Sequence, residues 1–185
     1  MQKKYKILSL LILAIFIGGC SWPWLPRDFS FQYKWSGKVV PAPEHQEYLI
    51  KVDQNGQGKV LYYADYLIES VPENKLWQRQ FTVGKDQMKN IYQLLKDKQV
   101  LEEKNIKEQV VSSRYQSEFA ELWVKANKTS YFEKFVSGTE PGLKNLETTL
   151  KNLVPGNIWQ EMEQQKQLDI SNNSDVLDYQ LPEID

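Results

Sequence analysis

Twice along this chain a pair of alternating strands runs into a glycine and then changes hydrophobic period. Phe81-Thr-Val-Gly84 leads into Met88, Ile91, Tyr92 and Leu95, and Phe135-Val-Ser-Gly138 leads into Leu143, Leu146 and Leu150. Alternation of period 2 marks a half-buried strand, whereas spacings of i, i+3, i+4 and i+7 mark one stripe of a helix. The two blocks lie 54 to 55 residues apart, which shared architectural demands explain as well as duplication does. Hairpins and amphipathic helices in one chain bury their apolar faces against each other. The expected fold class is therefore α+β, one twisted antiparallel sheet of about six strands with two or three helices on one face.

The strands are expected over residues 29–35, 48–53, 59–66, 76–83, 119–125 and 129–136. Gln54-Asn55-Gly56-Gln57-Gly58 joins the second strand to the third, because Asn-Gly tolerates positive φ. Ala126-Asn127-Lys128 joins the last two strands. One helix is expected from Lys85 to about Lys98, and a second carries Leu143 to Leu153 before Pro155-Gly156 stops it. Asn157 can cap a third, with Ile158, Trp159 and Met162 as its apolar residues. Residues 99–116 are polar and show no clear period.

The N-terminal end follows a different logic. Lys3, Lys4 and Lys6 precede an apolar run from Ile7 to Ile17, and Gly18-Gly19-Cys20 follows. That run is about half the ~20 residues a bilayer-spanning helix needs, so it reads as a secretory signal. Ile17-Gly18-Gly19-Cys20 resembles the lipobox of bacterial lipoproteins, with Ile17 in place of the usual Leu. The resemblance implies cleavage between Gly19 and Cys20, a thioether-linked diacylglycerol on Cys20, and often an acylated amine. Two or three acyl chains give a stable anchor where one binds only reversibly. By the same resemblance, Ser21 after the cysteine would fit outer-membrane sorting in a two-membrane bacterium.

The expected organisation is a signal over residues 1–19, a tether over 20–28, a single α+β domain over 29–168 and an acidic tail over 169–185. Pro23 and Pro26 make the tether stiff, and Trp22 and Trp24, on either side of Pro23, sit at headgroup level or pack back against the domain. Ser171-Asn-Asn-Ser174 and the acids suggest a disordered tail, with Val176 to Pro182 as a possible docking peptide.

The 166 residues from Cys20 onward are enough to bury a core without disulfides. Losing Lys3, Lys4 and Lys6 lowers the basic count from 23 to 20 against 24 acids, a net charge of about −4. Five of those acids and no base lie beyond Leu168, so the body carries +1. A near-neutral body lacks the concentrated basic face that nucleic acids require.

Cys20 is the only cysteine and His45 the only histidine, which excludes multi-histidine and thiolate metal sites; no cofactor is expected. His45 sits in a Pro-bounded loop and reads as solvated, and no Gly-x-Ser-x-Gly elbow or phosphate-binding loop occurs. Asp65, Glu69, Glu118 and Glu121 could supply a carboxylate pair for wall hydrolysis. Arg79, on a strand face with Trp77 and Phe81, needs a carboxylate or carbonyl partner if buried.

Aromatics are the loudest signal, with Trp35, Trp77, Trp123 and Trp159 in the body. They serve either as core area or as a partner-binding sheet face, for which Tyr62, Tyr63, Tyr66 and Trp77 are the candidates. The expected function is non-catalytic: a lipid-anchored envelope lipoprotein outside the cytoplasm, acting as a binding or accessory module for an envelope protein partner. The alternatives are a carrier of an apolar ligand or lipid, and a carboxylate-dependent wall hydrolase.

Overall fold

The computed structural model describes residues 24–38, 40, 45–64, 68, 71–102, 118–138 and 141–177. Six strands form one open antiparallel sheet: β1 (Ser30–Ser36), β2 (Glu47–Val52), β3 (Gln57–Tyr63), β4 (Trp77–Thr82), β5 (Phe119–Ala126) and β6 (Thr129–Val136). Three helices accompany them: α1 (Lys85–Asp97), α2 (Pro141–Lys151) and α3 (Gly156–Leu177). The strand order is β4-β3-β2-β1-β5-β6, so the second hairpin joins the first meander along β1. The fold is α+β, as the change of period requires.

Alternation along each strand divides the sheet into two faces. Phe31, Tyr33 and Trp35 of β1 stand opposite Val52, Ile50 and Tyr48 of β2 and opposite Val124, Leu122 and Ala120 of β5. These residues share one cluster with Ile91 and Leu95 of α1, Leu146 and Leu150 of α2, and Ile158 of α3. All three helices therefore lie on one face, and the core sits between them and the sheet. Gln87 starts α1 by accepting the Gly84 N–H at 2.8 Å, which satisfies a donor that has no partner inside the helix.

The other face carries a second, smaller cluster. Leu49 and Leu61 are covered by Ile68 and Leu76 from the β3–β4 connection. Glu73 pins that connection by accepting from Lys51 at 3.0 Å and Lys59 at 2.5 Å. The Lys59 hydrogen bond, followed by the one from Lys51, holds its carboxyl below the ordinary range. Farther along this face Trp123 and Phe132 pack at 5.3 Å, with Phe132 44% exposed.

Both hairpin turns place residues at positive φ. Asn127 (φ 53°) and Lys128 (φ 67°) turn β5 into β6, and Asp28 accepts both of their N–H groups at 2.9 and 2.7 Å. Gly56 has φ 77°, and its carbonyl accepts the Val83 N–H at 2.8 Å. A Cβ on Gly56 would strike the Val83 carbonyl as well as strain the backbone. Gly56→Ala is expected to cost about 1–3 kcal/mol, read as a lower denaturant midpoint at unchanged slope. A midpoint equal to wild type would show that the turn is not held as described.

Two sequence expectations are corrected at their boundaries. The third helix begins at Gly156, where the Ile158 N–H bonds the Pro155 carbonyl at 3.0 Å, rather than at an Asn157 cap. It also runs to Leu177, so residues 169–177 continue α3 instead of beginning the tail. Glu, Gln and Lys fill residues 160–167 apart from Met162; all are good helix formers, and this propensity carries the helix through a stretch with little apolar content. Among the described residues, no helix is long and apolar enough to cross a membrane.

Candidate functional site

Antiparallel register places four aromatic side chains in a row across four strands. Trp35 of β1 pairs with Tyr48 of β2, Tyr48 with Tyr62 of β3, and Tyr62 with Trp77 of β4. All four stand on the helix-covered face, at the end of the sheet nearest the start of α3. Trp35 and Tyr48 stack at 5.1 Å with their planes 16° apart. Tyr62 and Trp77 meet edge to face at 6.5 Å. Offset stacks and T-shaped contacts are the arrangements aromatic quadrupoles favour.

The two C-terminal helices border this row and leave an open depression beside it. Trp159 of α3 meets Tyr48 edge-on at 5.1 Å, and its Nε1–H donates to the Lys151 carbonyl at 3.2 Å. A hollow of about 370 Å³ remains, bounded by Trp35, Tyr48 and Tyr62 below and by Lys151, Trp159 and Met162 above. That volume falls in the range of small-molecule sites.

Polar groups around the hollow divide into two kinds. The charged ones are already paired. Lys151 donates to Glu147 at 2.7 Å, and Glu163 of α3 binds Lys166 at 3.3 Å. Arg79 lies 5.0 Å above the Trp77 ring and donates from Nε to Glu161 at 2.6 Å. Among the neutral ones, Trp159 Nε1 and Tyr48 Oη are paired and two others are not. Trp35 Nε1 and Tyr62 Oη are buried and have no hydrogen-bond partner among the described residues. Burial, and then the negative charge of Asp169 and Glu163, pushes the Tyr62 phenol well above its ordinary range, so it stays a neutral hydroxyl. An unsatisfied buried donor costs the full desolvation of the group, and such groups are rare enough to call for an explanation.

The residues singled out in the sequence fall in different places. Gly19, Cys20, Trp22 and Tyr66 lie outside the described residues, as do Asp65 and Glu69. Trp24 is 92% exposed and does not pack back onto the domain. Tyr62 and Trp77 face the helices, whereas Tyr63 packs beside Leu49 and Leu61 on the opposite face. The single open face expected of these residues is thus corrected: adjacent residues of one strand point to opposite sides, and two of the candidates line the covered side. Arg79 is exposed, so the burial that would have required a partner does not arise; it pairs with Glu161 at the surface. Glu121 is taken up by Lys134 at 2.6 Å.

His45 overturns its expectation as a solvated loop residue. It is 2% exposed, its Nδ1 lies 2.9 Å from the Lys38 carbonyl, and its Nε2 lies 3.6 Å from Glu47. Glu47 in turn accepts from Ser36 Oγ and the Ile68 N–H, both at 2.9 Å, with Lys34 Nζ at 3.6 Å. This buried cluster fastens the β3–β4 connection to the sheet.

Tyr48, Gln46, Lys151 and Met162 were not anticipated around the hollow. Tyr48 was findable, since it alternates with Ile50 and Val52 and so shares their face. Among the described residues, no group of three His, Cys, Asp or Glu side chains could hold a metal ion. No family model matches the chain, and no curated protein matches it either.

Proposed function

We propose that this is an envelope lipoprotein, held at a membrane surface through acylated Cys20, whose domain works as a non-catalytic binding module. Support for binding comes chiefly from the open depression beside α2 and α3, lined by the aromatic side chains of Trp35, Tyr48, Tyr62 and Trp159. Support for anchoring comes from Ile17-Gly18-Gly19-Cys20 and the short apolar run before it. The domain's first core residue, Phe29, lies nine positions beyond Cys20, so an anchored domain rides close to the membrane. Exposed Trp24 then lies within reach of the headgroups, where an amphipathic aromatic is favoured.

Cys20→Ser tests the anchor. The expected product is unlipidated, and either keeps residues 1–19 as a longer precursor or leaves the detergent-rich phase on phase separation of whole-cell extracts, while wild type stays in it at its acylated mass. Equal partition together with equal mass, apart from the substituted atom, would sink the anchor reading.

A further inference from the structure

Among the described residues, no helix covers the outer face of the β5–β6 hairpin, and that face is aromatic. Trp123 and Phe132 stand opposite each other there, with Phe119 opposite Val136 farther from the turn. Phe132 is 44% exposed, and Trp123 is half-buried against it. The tether meets the domain at the same hairpin. Asp28 accepts the Asn127 and Lys128 N–H groups, and Leu25 packs against the core. Trp24, 92% exposed, is thus held beside the β5–β6 turn, four positions after Cys20. Four residues span at most about 14 Å, so an acylated Cys20 brings the bilayer to this hairpin. Charge is concentrated there too. Arg27, Lys125 and Lys128 are exposed and form no ion pair among the described residues, against the single carboxylate of Asp28. On the helix side of the turn Lys96 and Glu102 offset each other. The β2–β3 turn, two strands away, carries Asp53 and no base.

We infer that the outer face of the β5–β6 hairpin lies on the anionic lipid surface of the membrane that anchors the protein. Trp24, Trp123 and Phe132 sit at headgroup level, and Arg27, Lys125 and Lys128 meet lipid phosphates. Amphipathic aromatics favour that boundary, and each base near an anionic surface is worth about fivefold in affinity. A second copy would have to approach from the side on which the anchor places the bilayer. The inference rests on the anchored reading for the position of the membrane and is independent of the depression beside α3. That depression lies on the opposite face of the sheet and at its other end, so this docking leaves it open to the aqueous side.

The full-length protein is reconstituted into vesicles of brominated phosphatidylcholine with and without phosphatidylglycerol, following tryptophan emission. Intact mass of the same preparation reports whether Cys20 is acylated. Where its thiol is free, the protein is coupled through Cys20 to vesicles bearing a maleimide lipid, which puts the anchor at the same atom. Quenching by the brominated lipid is expected, and more of it with phosphatidylglycerol present. Trp123→Phe should lose part of the quenched intensity, whereas Trp77→Phe, on the helix-covered face, should lose none. Reversing two charges in one protein, Lys125→Glu with Lys128→Glu, should reduce quenching to the level seen without phosphatidylglycerol. Its melting temperature should be unchanged, since both side chains are exposed. Equal quenched intensity for wild type and Trp123→Phe, or indifference to phosphatidylglycerol or to the charge reversals, would each overturn the inference. Dimers in mild detergent that Phe132→Asp dissolves would overturn it as well, by giving the face to a second copy. A free Cys20 with the quenching pattern intact fails the anchor alone, and an acylated Cys20 without it fails the face alone.

Discussion

Glu147→Ala is expected to destabilise the fold by about 2–4 kcal/mol, because it takes the shared acceptor from several donors and each buried one left unsatisfied costs about 1–3 kcal/mol. Glu147 is 4% exposed and accepts from Tyr33 Oη at 3.0 Å, Ser137 Oγ at 2.5 Å, the Gly138 N–H at 3.0 Å and Lys151 Nζ at 2.7 Å. It thereby ties β1, the turn after β6 and α2 to a single carboxylate. Deleting it leaves the buried Tyr33 hydroxyl with only its hydrogen bond to Tyr48, strips the acceptor from Ser137 and the Gly138 N–H, and leaves Lys151 without its counter-charge. The effect is a large share of the ~5–15 kcal/mol by which domains are stable.

The same residue gives the fold an acid limit. Burial alone would raise the Glu147 pKa, but the hydrogen bonds from Lys151, Ser137 and Gly138 outweigh it and hold the value below the ordinary 4.5. A depressed folded pKa means that the unfolded chain binds the proton more tightly. The stability contributed is therefore fully present above about pH 4.5 and is lost as pH falls through the folded value. Urea midpoints for wild type should drop between pH 6 and pH 3 more steeply than for Glu147→Gln. Parallel curves would remove Glu147 from the account.

The second large effect is expected at the domain's N-terminal boundary. Phe29→Ala should cost about 3–5 kcal/mol, the range for emptying a buried aromatic site. Phe29 is fully buried, meets the Tyr92 ring edge-on at 5.2 Å and lies 6.0 Å from Phe31. It is the first side chain after the tether to enter the core and joins β1 to α1. Trp24→Ala, at an exposed position a few residues earlier, should change stability by no more than about 0.5 kcal/mol. Similar denaturation midpoints for the two variants would place the domain boundary elsewhere.

Much of the architecture was legible because the signals were local. The switch from period 2 to period 3.6 at Gly84 and Gly138 gave the strands and the first two helices within two or three residues, and Asn55-Gly56 gave the first turn. The pairing of β1 with β5, whose paired residues lie some 83 to 95 positions apart, has no local signature. The row Trp35-Tyr48-Tyr62-Trp77 was out of reach for the same reason. Alternation assigns each side chain a face within its own strand, but only register decides which aromatics stand side by side. His45 was misplaced because Pro41 and Pro43 marked its loop as surface, while Glu47, two residues on, supplied the buried partner that makes its burial tolerable. The C-terminal part of α3 was missed because Ser171 and Asn172 are exposed and carry no apolar stripe.

The central claim is a binding domain fixed to a membrane by its own N-terminal cysteine. The most direct measurement is the intact mass of the protein extracted from membranes, with its N-terminal peptide sequenced. The account predicts a chain beginning at Cys20 that carries the added mass of a diacylglycerol and, in some hosts, a third acyl chain. A chain beginning at Met1, or a Cys20 with a free thiol, would contradict it.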